Sequence, residues 1–173
     1  EGILYAGTYG GISSYDGTDW ETYTTSDGLM SNNVFDLHVD ASGNLYAATA
    51  LGLSVFDGST WTGYNQNDGL EERYVQSVCV DGSGNIYAGL YGVSNAGGIA
   101  LYDGSTWTSY HTGDGLIDNV VNSVRKSGDR VYIGTDAGVN NLESDTWTSY
   151  TPSDGMSYQV TKALELDSSN ILW

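Results

Sequence analysis

The stretch Thr106-Trp107-Thr108-Ser109-Tyr110-His111-Thr112-Gly113-Asp114-Gly115-Leu116 decides the fold, because the chain repeats it. Its counterparts are Asp19-Trp20-Glu21-Thr22-Tyr23 with Asp27-Gly28-Leu29, Thr60-Trp61-Thr62-Gly63-Tyr64 with Asp68-Gly69-Leu70, and Thr146-Trp147-Thr148-Ser149-Tyr150 with Asp154-Gly155-Met156. A second phrase precedes each Trp: Leu4-Tyr5-Ala6-Gly7-Thr8, Leu45-Tyr46-Ala47-Ala48-Thr49, Ile86-Tyr87-Ala88-Gly89 and Val131-Tyr132-Ile133-Gly134-Thr135. Trp173 holds the phase of these tyrosines once more. The Trp spacings are 41, 46 and 40 residues. Tyr-to-Trp is 15 residues in three repeats and 20 in the other, so a five-residue insertion falls near 92–98 and a one-residue deletion near 126–130. Self-similarity at this period marks a repeat architecture, and insertions in such chains map to loops on one face.

Within a repeat the units are short. Val75 to Val80 is an apolar-rich run, Asp81-Gly82-Ser83-Gly84-Asn85 a turn, and Ile86 to Gly89 a strand. Ile99 to Tyr102 follows, Asp103-Gly104 turns the chain, and Thr106 to Tyr110 is a fourth strand. Aromatic and β-branched residues bounded by Gly, Asp, Asn and Ser are the signature of strands and hairpins. No window of 11 or more residues carries a helical period. The pattern predicts an all-β fold with four-stranded antiparallel blades, the signature of a β-propeller. The repeat phases run about 3–44, 45–85, 86–130 and 131–170 within a single propeller over 1–173, with 171–173 opening a further repeat.

The run Asp-Gly-Leu-x₄-Val, then Asp-x-Ser-Gly-Asn-Leu-Tyr-Ala-Gly-Thr, then Gly-Leu-Ser-x-Phe/Tyr-Asp-Gly-x-x-Trp-x-x-Tyr resembles the two-component regulator propeller repeat. The resemblance covers the whole chain. The last repeat departs from it, with Glu143-Ser144-Asp145 at the Asp-Gly turn and Met156 for Leu. The resemblance implies a bacterial, periplasmic or extracellular setting, as in the sensor domains of hybrid histidine kinases. It also places the innermost strand A near 33–39, 74–80, 120–125 and 160–166, so that the chain opens on a strand B. Closing four blades into a ring would ask 160–166 to complete the blade of 3–23. Asn170-Ile171-Leu172-Trp173 repeats Gly2-Ile3-Leu4-Tyr5, however, and would want the same strand B slot. A partial or oligomer-completed ring is therefore favoured over a closed four-bladed one. Within that reading a piece of a longer propeller is favoured, with a tail swapped into a neighbour and two chains making one eight-bladed ring as the alternatives.

The composition sets outer limits. The 173 residues carry 22 Asp plus Glu against 5 Lys plus Arg, a formal net charge of −17. Such a surface repels phosphates, which argues against nucleic acid as partner. One cysteine makes neither an internal disulfide nor a Cys-rich zinc site. No run of about 18 apolar residues occurs, so no membrane insertion is expected, and the opening residues lack the basic-then-apolar pattern of a signal peptide. With 39% hydrophobic and 12% aromatic residues the chain is not a disordered acidic segment. Asp16, Asp27, Asp57, Asp68, Asp81, Asp103, Asp114 and Asp154 all precede Gly. Asp favours such turns through its own backbone contacts and Gly supplies positive φ. Turn grammar is thus the favoured explanation of the acidic excess and calcium the weaker one, since no loop with alternating calcium ligands is present. No metal or other cofactor is expected.

Candidate sites are sought where repeats differ. Trp20, Trp61, Trp107 and Trp147, with Asp27, Asp68, Asp114 and Asp154, recur in every repeat and read as blade packing and turns. His38, Cys79, Arg125 and Glu165 share one position of strand A, eleven residues past the Asp of each Asp-Gly-Leu or Asp-Gly-Met phrase, and do not repeat. Asp36, Ser77, Ser123 and Ala163 lie two residues earlier, hence on the same face, while Phe35, Leu37 and Val39 are expected to face the other way. These rows would line the channel, where Arg125 and Glu165 could pair. B–C and D–A loops share the other variable region. Tyr9, Tyr91, Asn95 and Asp136 from the former, and Arg73 and Tyr158 from the latter, are the ligand-binding candidates. No Gly-x-Ser-x-Gly elbow, phosphate-cradling Gly loop or paired-His motif occurs. The function expected is non-catalytic recognition of a carbohydrate, other small molecule or protein, with self-association open. A structural or adhesive spacer and a propeller lyase or hydrolase are the alternatives.

Overall fold

The computed structural model describes residues 2–92, 97–167, 169 and 171–173. Fifteen strands form among them. The first blade holds β1 (Leu4–Thr8), β2 (Gly11–Tyr15) and β3 (Trp20–Tyr23). The second holds β4 (Val34–Val39), β5 (Leu45–Thr49), β6 (Gly52–Phe56) and β7 (Trp61–Tyr64). The third holds β8 (Val75–Val80), β9 (Ile86–Tyr91), β10 (Gly97–Tyr102) and β11 (Trp107–Tyr110). The fourth holds β12 (Val121–Ser127), β13 (Arg130–Thr135), β14 (Val139–Glu143) and β15 (Thr146–Tyr150). Each sheet is an antiparallel meander in chain order, one of three strands and three of four. The sheets do not close into a ring, so the fold is a partial β-propeller.

The repeated phrases make the connections between blades. In each, an Asp carboxylate accepts the backbone N–H three residues earlier: Asp27 from Thr24, Asp68 from Asn65, Asp114 from His111 and Asp154 from Thr151, at 2.8–2.9 Å. The following glycines sit at φ of 96 to 122°, where a Cβ is strained. Leu29, Leu70 and Leu116 then drop into the core. Two of the turns are 3₁₀ helices, Gln66–Asp68 and Pro152–Asp154, the proline standing at the first helical position where its missing N–H costs nothing.

The core lies between blades. Tyr46, Ala48 and Leu53 of the second blade pack with Leu70 and with Val75, Val78 and Leu90 of the third. The aromatic residues do the same farther out. Tyr23 meets Trp61 edge-on at 5.8 Å, Tyr64 meets Trp107 at 5.9 Å and Tyr110 meets Trp147 at 6.0 Å. Close approach of the inner strands explains Gly7, Gly89 and Gly134: a Cβ there would lie 2.6–2.8 Å from Val34, Val121 and Thr161 of the next inner segment.

Two expectations change. Residues 160–166 do not form a regular strand. Leu166 makes one bridge, with Leu172, while Glu165 and Trp173 exchange both backbone bonds at 3.0 and 2.8 Å. Among the described residues the partner of this segment is 171–173, with Asp167 N–H also donating to the Ile171 carbonyl at 3.0 Å. Those residues take the strand B place of a next blade: the Trp173 indole N–H donates to Asp167 at 3.2 Å, as the Tyr46 hydroxyl does to Asp40 at 3.1 Å. The second change is Phe35. A β-bulge lies between Val34 and Asp36, and equivalent bulges lie at 75–77 and 121–123. The extra residue resets the alternation, and Phe35 lines the same cavity as Asp36 rather than the opposite face.

Candidate functional site

The inner strands are joined through side chains two residues before the variable row. Asp36 accepts the N–H of Val78 at 3.1 Å, Ser77 that of Val124 at 3.0 Å and Ser123 that of Leu164 at 3.1 Å. Each acceptor therefore satisfies the backbone of the next blade. Asp36 also accepts the Ser77 hydroxyl at 2.6 Å and lies 3.5 Å from the Arg125 guanidinium. Arg125 reaches Glu165 on its other side at 3.3 Å. Ala163, at the same repeat position, has no acceptor to offer, and the series ends there.

Around this series lies a cavity of about 200 Å³. Its lining includes Phe35, Gln76, Asn122 and Lys162, four bulge or bulge-equivalent residues of the inner segments. The sequence reading missed this row although it is as variable as the one at His38. Lys162 pairs with Asp136 at 2.9 Å, and Asn122 donates to the same carboxylate at 2.8 Å. The hydrogen bonds from Asn122 and Lys162 hold the Asp136 carboxyl below the usual range. Asp136 is thus engaged within the fold rather than free on a loop.

His38 and Cys79 are held uncharged. Burial, then the nearby Arg125, lowers the His38 pKa, and burial pushes the Cys79 thiol up to about 12. The Cys79 sulfur is a protonated, buried group at neutral pH.

The blade face bearing the β1–β2 and β5–β6 loops and the inter-blade connections has a different character. There a cleft of about 620 Å³ is lined by Gln66, Glu72, Arg73, Tyr74 and Tyr91. The Arg73 guanidinium lies over the Tyr74 ring, 5.0 Å from its centre, and Tyr91 N–H donates to the Tyr74 carbonyl at 2.9 Å. The repeat explains why this spot is unusual. The positions equivalent to Arg73 in the flanking connections are Asn32 and Asn119. Asn32 accepts the Thr25 N–H at 2.8 Å and Asn119 the Thr112 N–H at 2.9 Å, closing their own loops. Arg73 cannot accept a hydrogen bond, and among the described residues it makes no ion pair. Tyr74 stands where the other connections have Asn33 and Val120.

Of the ligand-binding candidates, Arg73 and Tyr91 come together in this cleft. Tyr9 and Tyr158 are exposed, 78% and 67%, and outside it. Asn95 falls outside the described residues. Tyr74 was missed because the sequence reading placed it at the start of strand A.

No protein-family model and no curated protein matches the sequence. Solved structures do. The chain superimposes with a TM-score of 0.80 on the extracellular domain of a protein named as a hybrid two-component system of B. thetaiotaomicron, at 15% identity, covering 98% of this chain and 24% of that one. It does so at 0.76 and 16% identity on the extracellular domain of one named as a one-component system of the same organism, covering 99% and 27%. A streptogramin B lyase gives 0.75 at 13% identity, covering 99% and 58%. These likenesses establish the propeller fold. The chain spans about a quarter of the two extracellular domains. No described helix is long and apolar enough to cross a membrane.

Proposed function

We propose that the chain is a non-catalytic recognition module of the two-component regulator propeller type, working in the periplasm or outside a bacterial cell, and that it binds a carbohydrate or related polar small molecule. The single observation that carries this reading is the cleft at Arg73, Tyr74 and Tyr91. Two aromatic rings offer stacking faces, and Arg73, Gln66 and Glu72 offer donors and acceptors at the rim, the mixture that sugar rings with apolar faces and hydroxyl edges require. Arg73 leaves the repeat pattern at a point where its counterparts Asn32 and Asn119 each close a loop. The sensor reading is supported at fold level by the two extracellular domains. The non-catalytic reading is supported by the burial of the lone thiol, which keeps it protonated.

A glycan array probed with the labelled 173-residue chain tests this. Binding to a restricted set of glycans is expected, weakened at least about tenfold in Tyr74→Ala, the loss of one stacking contact. An array with no bound glycan, or equal binding by Tyr74→Ala with its fold intact by circular dichroism, contradicts the proposal.

A further inference from the structure

With 5 Lys and Arg against 22 Asp and Glu, a cation without an oxygen partner is the exception in this chain. Arg125 lies between Asp36 and Glu165 at 3.5 and 3.3 Å, Arg130 on Glu143 at 2.9 Å and Lys162 on Asp136 at 2.9 Å. The Lys126 ammonium donates to the Gly128 carbonyl at 2.6 Å. The Arg73 guanidinium has no such partner among the described residues, and Val93, Ser94, Asn95 and Ala96, which lie outside them, carry no carboxylate. Its acidic neighbours in the sequence are engaged elsewhere. Glu71 meets the His111 imidazole at 3.1 Å, and the Glu72 carboxylate accepts the Arg73 backbone N–H at 3.2 Å. The guanidinium lies over the Tyr74 ring instead, 5.0 Å from its centre. A guanidinium held on a ring keeps its N–H fork available at the edge. That fork stands at the cleft of about 620 Å³ between the second and third blades.

We propose, resting on the carbohydrate reading of this cleft, that its ligand is a sugar acid. The carboxylate takes the Arg73 fork, and the sugar ring lies against Tyr91 and Tyr74, which are 42% and 37% exposed. A carboxylate presents two oxygens in a plane, the geometry a guanidinium meets with two parallel charge-assisted hydrogen bonds. A neutral sugar would leave that charge unanswered. One guanidinium balances one charge, and the net charge of −17 opposes multiply charged ligands. A single carboxylate therefore suits the cleft better than a sulfated chain.

An array of uronate-terminated, sulfated and neutral glycans tests this, followed by calorimetric titration with a bound uronate-terminated oligosaccharide and its methyl ester. The wild type should bind the acid at least about tenfold more tightly than the ester, the scale of one charge-assisted pair. In Arg73→Asn that preference should vanish, and added salt should weaken binding of the acid but not of the ester. Equal affinity of the wild type for acid and ester overturns the sugar-acid proposal and leaves the carbohydrate reading standing. So does an array bound only through neutral or sulfated glycans. A preference for the acid that survives in Arg73→Asn also overturns it, because the charge is then read elsewhere. An array with no bound glycan overturns both.

Discussion

Trp107 and Trp20 occupy the same position in their repeats but not the same environment. Trp107 is clasped by Tyr64 of the preceding blade at 5.9 Å and Tyr102 of its own at 5.0 Å. Among the described residues Trp20 stacks on Tyr15 of its own blade, at 5.0 Å. The same residue is a structural rivet in the interior and an open surface at the end. In a repeat protein each unit contacts only its neighbours, so what a repeated residue contributes depends on whether a neighbour is present.

The comparison can be broken by substitution. Trp107→Ala should cost about 3 kcal/mol, the scale of losing a large aromatic from a packed core. Trp20→Ala should cost less than about 1 kcal/mol, both by urea unfolding. Equal costs would contradict the contrast between the two indoles. The Gly turns sharpen the contrast at smaller scale. Gly115→Ala meets both positive φ and the Trp147 ring and should cost about 2–3 kcal/mol. Gly155→Ala at φ 108° meets open space and should cost about 1 kcal/mol.

Acid acts on the turns, interior and end alike. Backbone and hydroxyl hydrogen bonds hold the Asp16 and Asp103 carboxyls at about 2 against 3.8 unfolded. A pKa depressed on folding adds stability above the unfolded value, and that stability is lost as pH falls through the folded one. The melting temperature should therefore hold from neutral pH to about 4 and drop between about 4 and 2. Asp103→Asn should flatten that drop slightly, a smaller effect than either glycine change.

The sequence made the blades legible because the phrases that close turns and clasp indoles must be copied in every repeat. Strand order and the Asp-Gly connections follow from Trp20, Trp61, Trp107 and Trp147 in phase, while the opening on a strand B came from the resemblance to the propeller repeat. What stayed illegible was local geometry. The bulge after Val34 turns Phe35 inward, and no periodicity reports a one-residue bulge. The engagement of Asp136 by Lys162 and Asn122 joins positions far apart in the chain, so a loop carboxylate that looked available is tied up. Residues 160–166 read as a strand because their pattern matches β4, yet among the described residues they pair only through the bridge at Leu166 and Leu172 and the bonds beside it. The cleft was half legible: Arg73 and Tyr91 stood out as departures from the repeat, whereas Tyr74 was hidden by its place beside β8.

If departures from the repeat carry recognition, returning one to the repeat should remove recognition without harming the fold. Arg73→Asn restores the residue that closes the loop in the flanking connections through Asn32 and Asn119. The direct measurement is calorimetric titration of wild type and Arg73→Asn with an array-positive glycan, beside their thermal melts. Affinity should fall at least about tenfold, while the melting temperature holds or rises by a degree or two. Unchanged affinity in a stable Arg73→Asn chain would contradict the account.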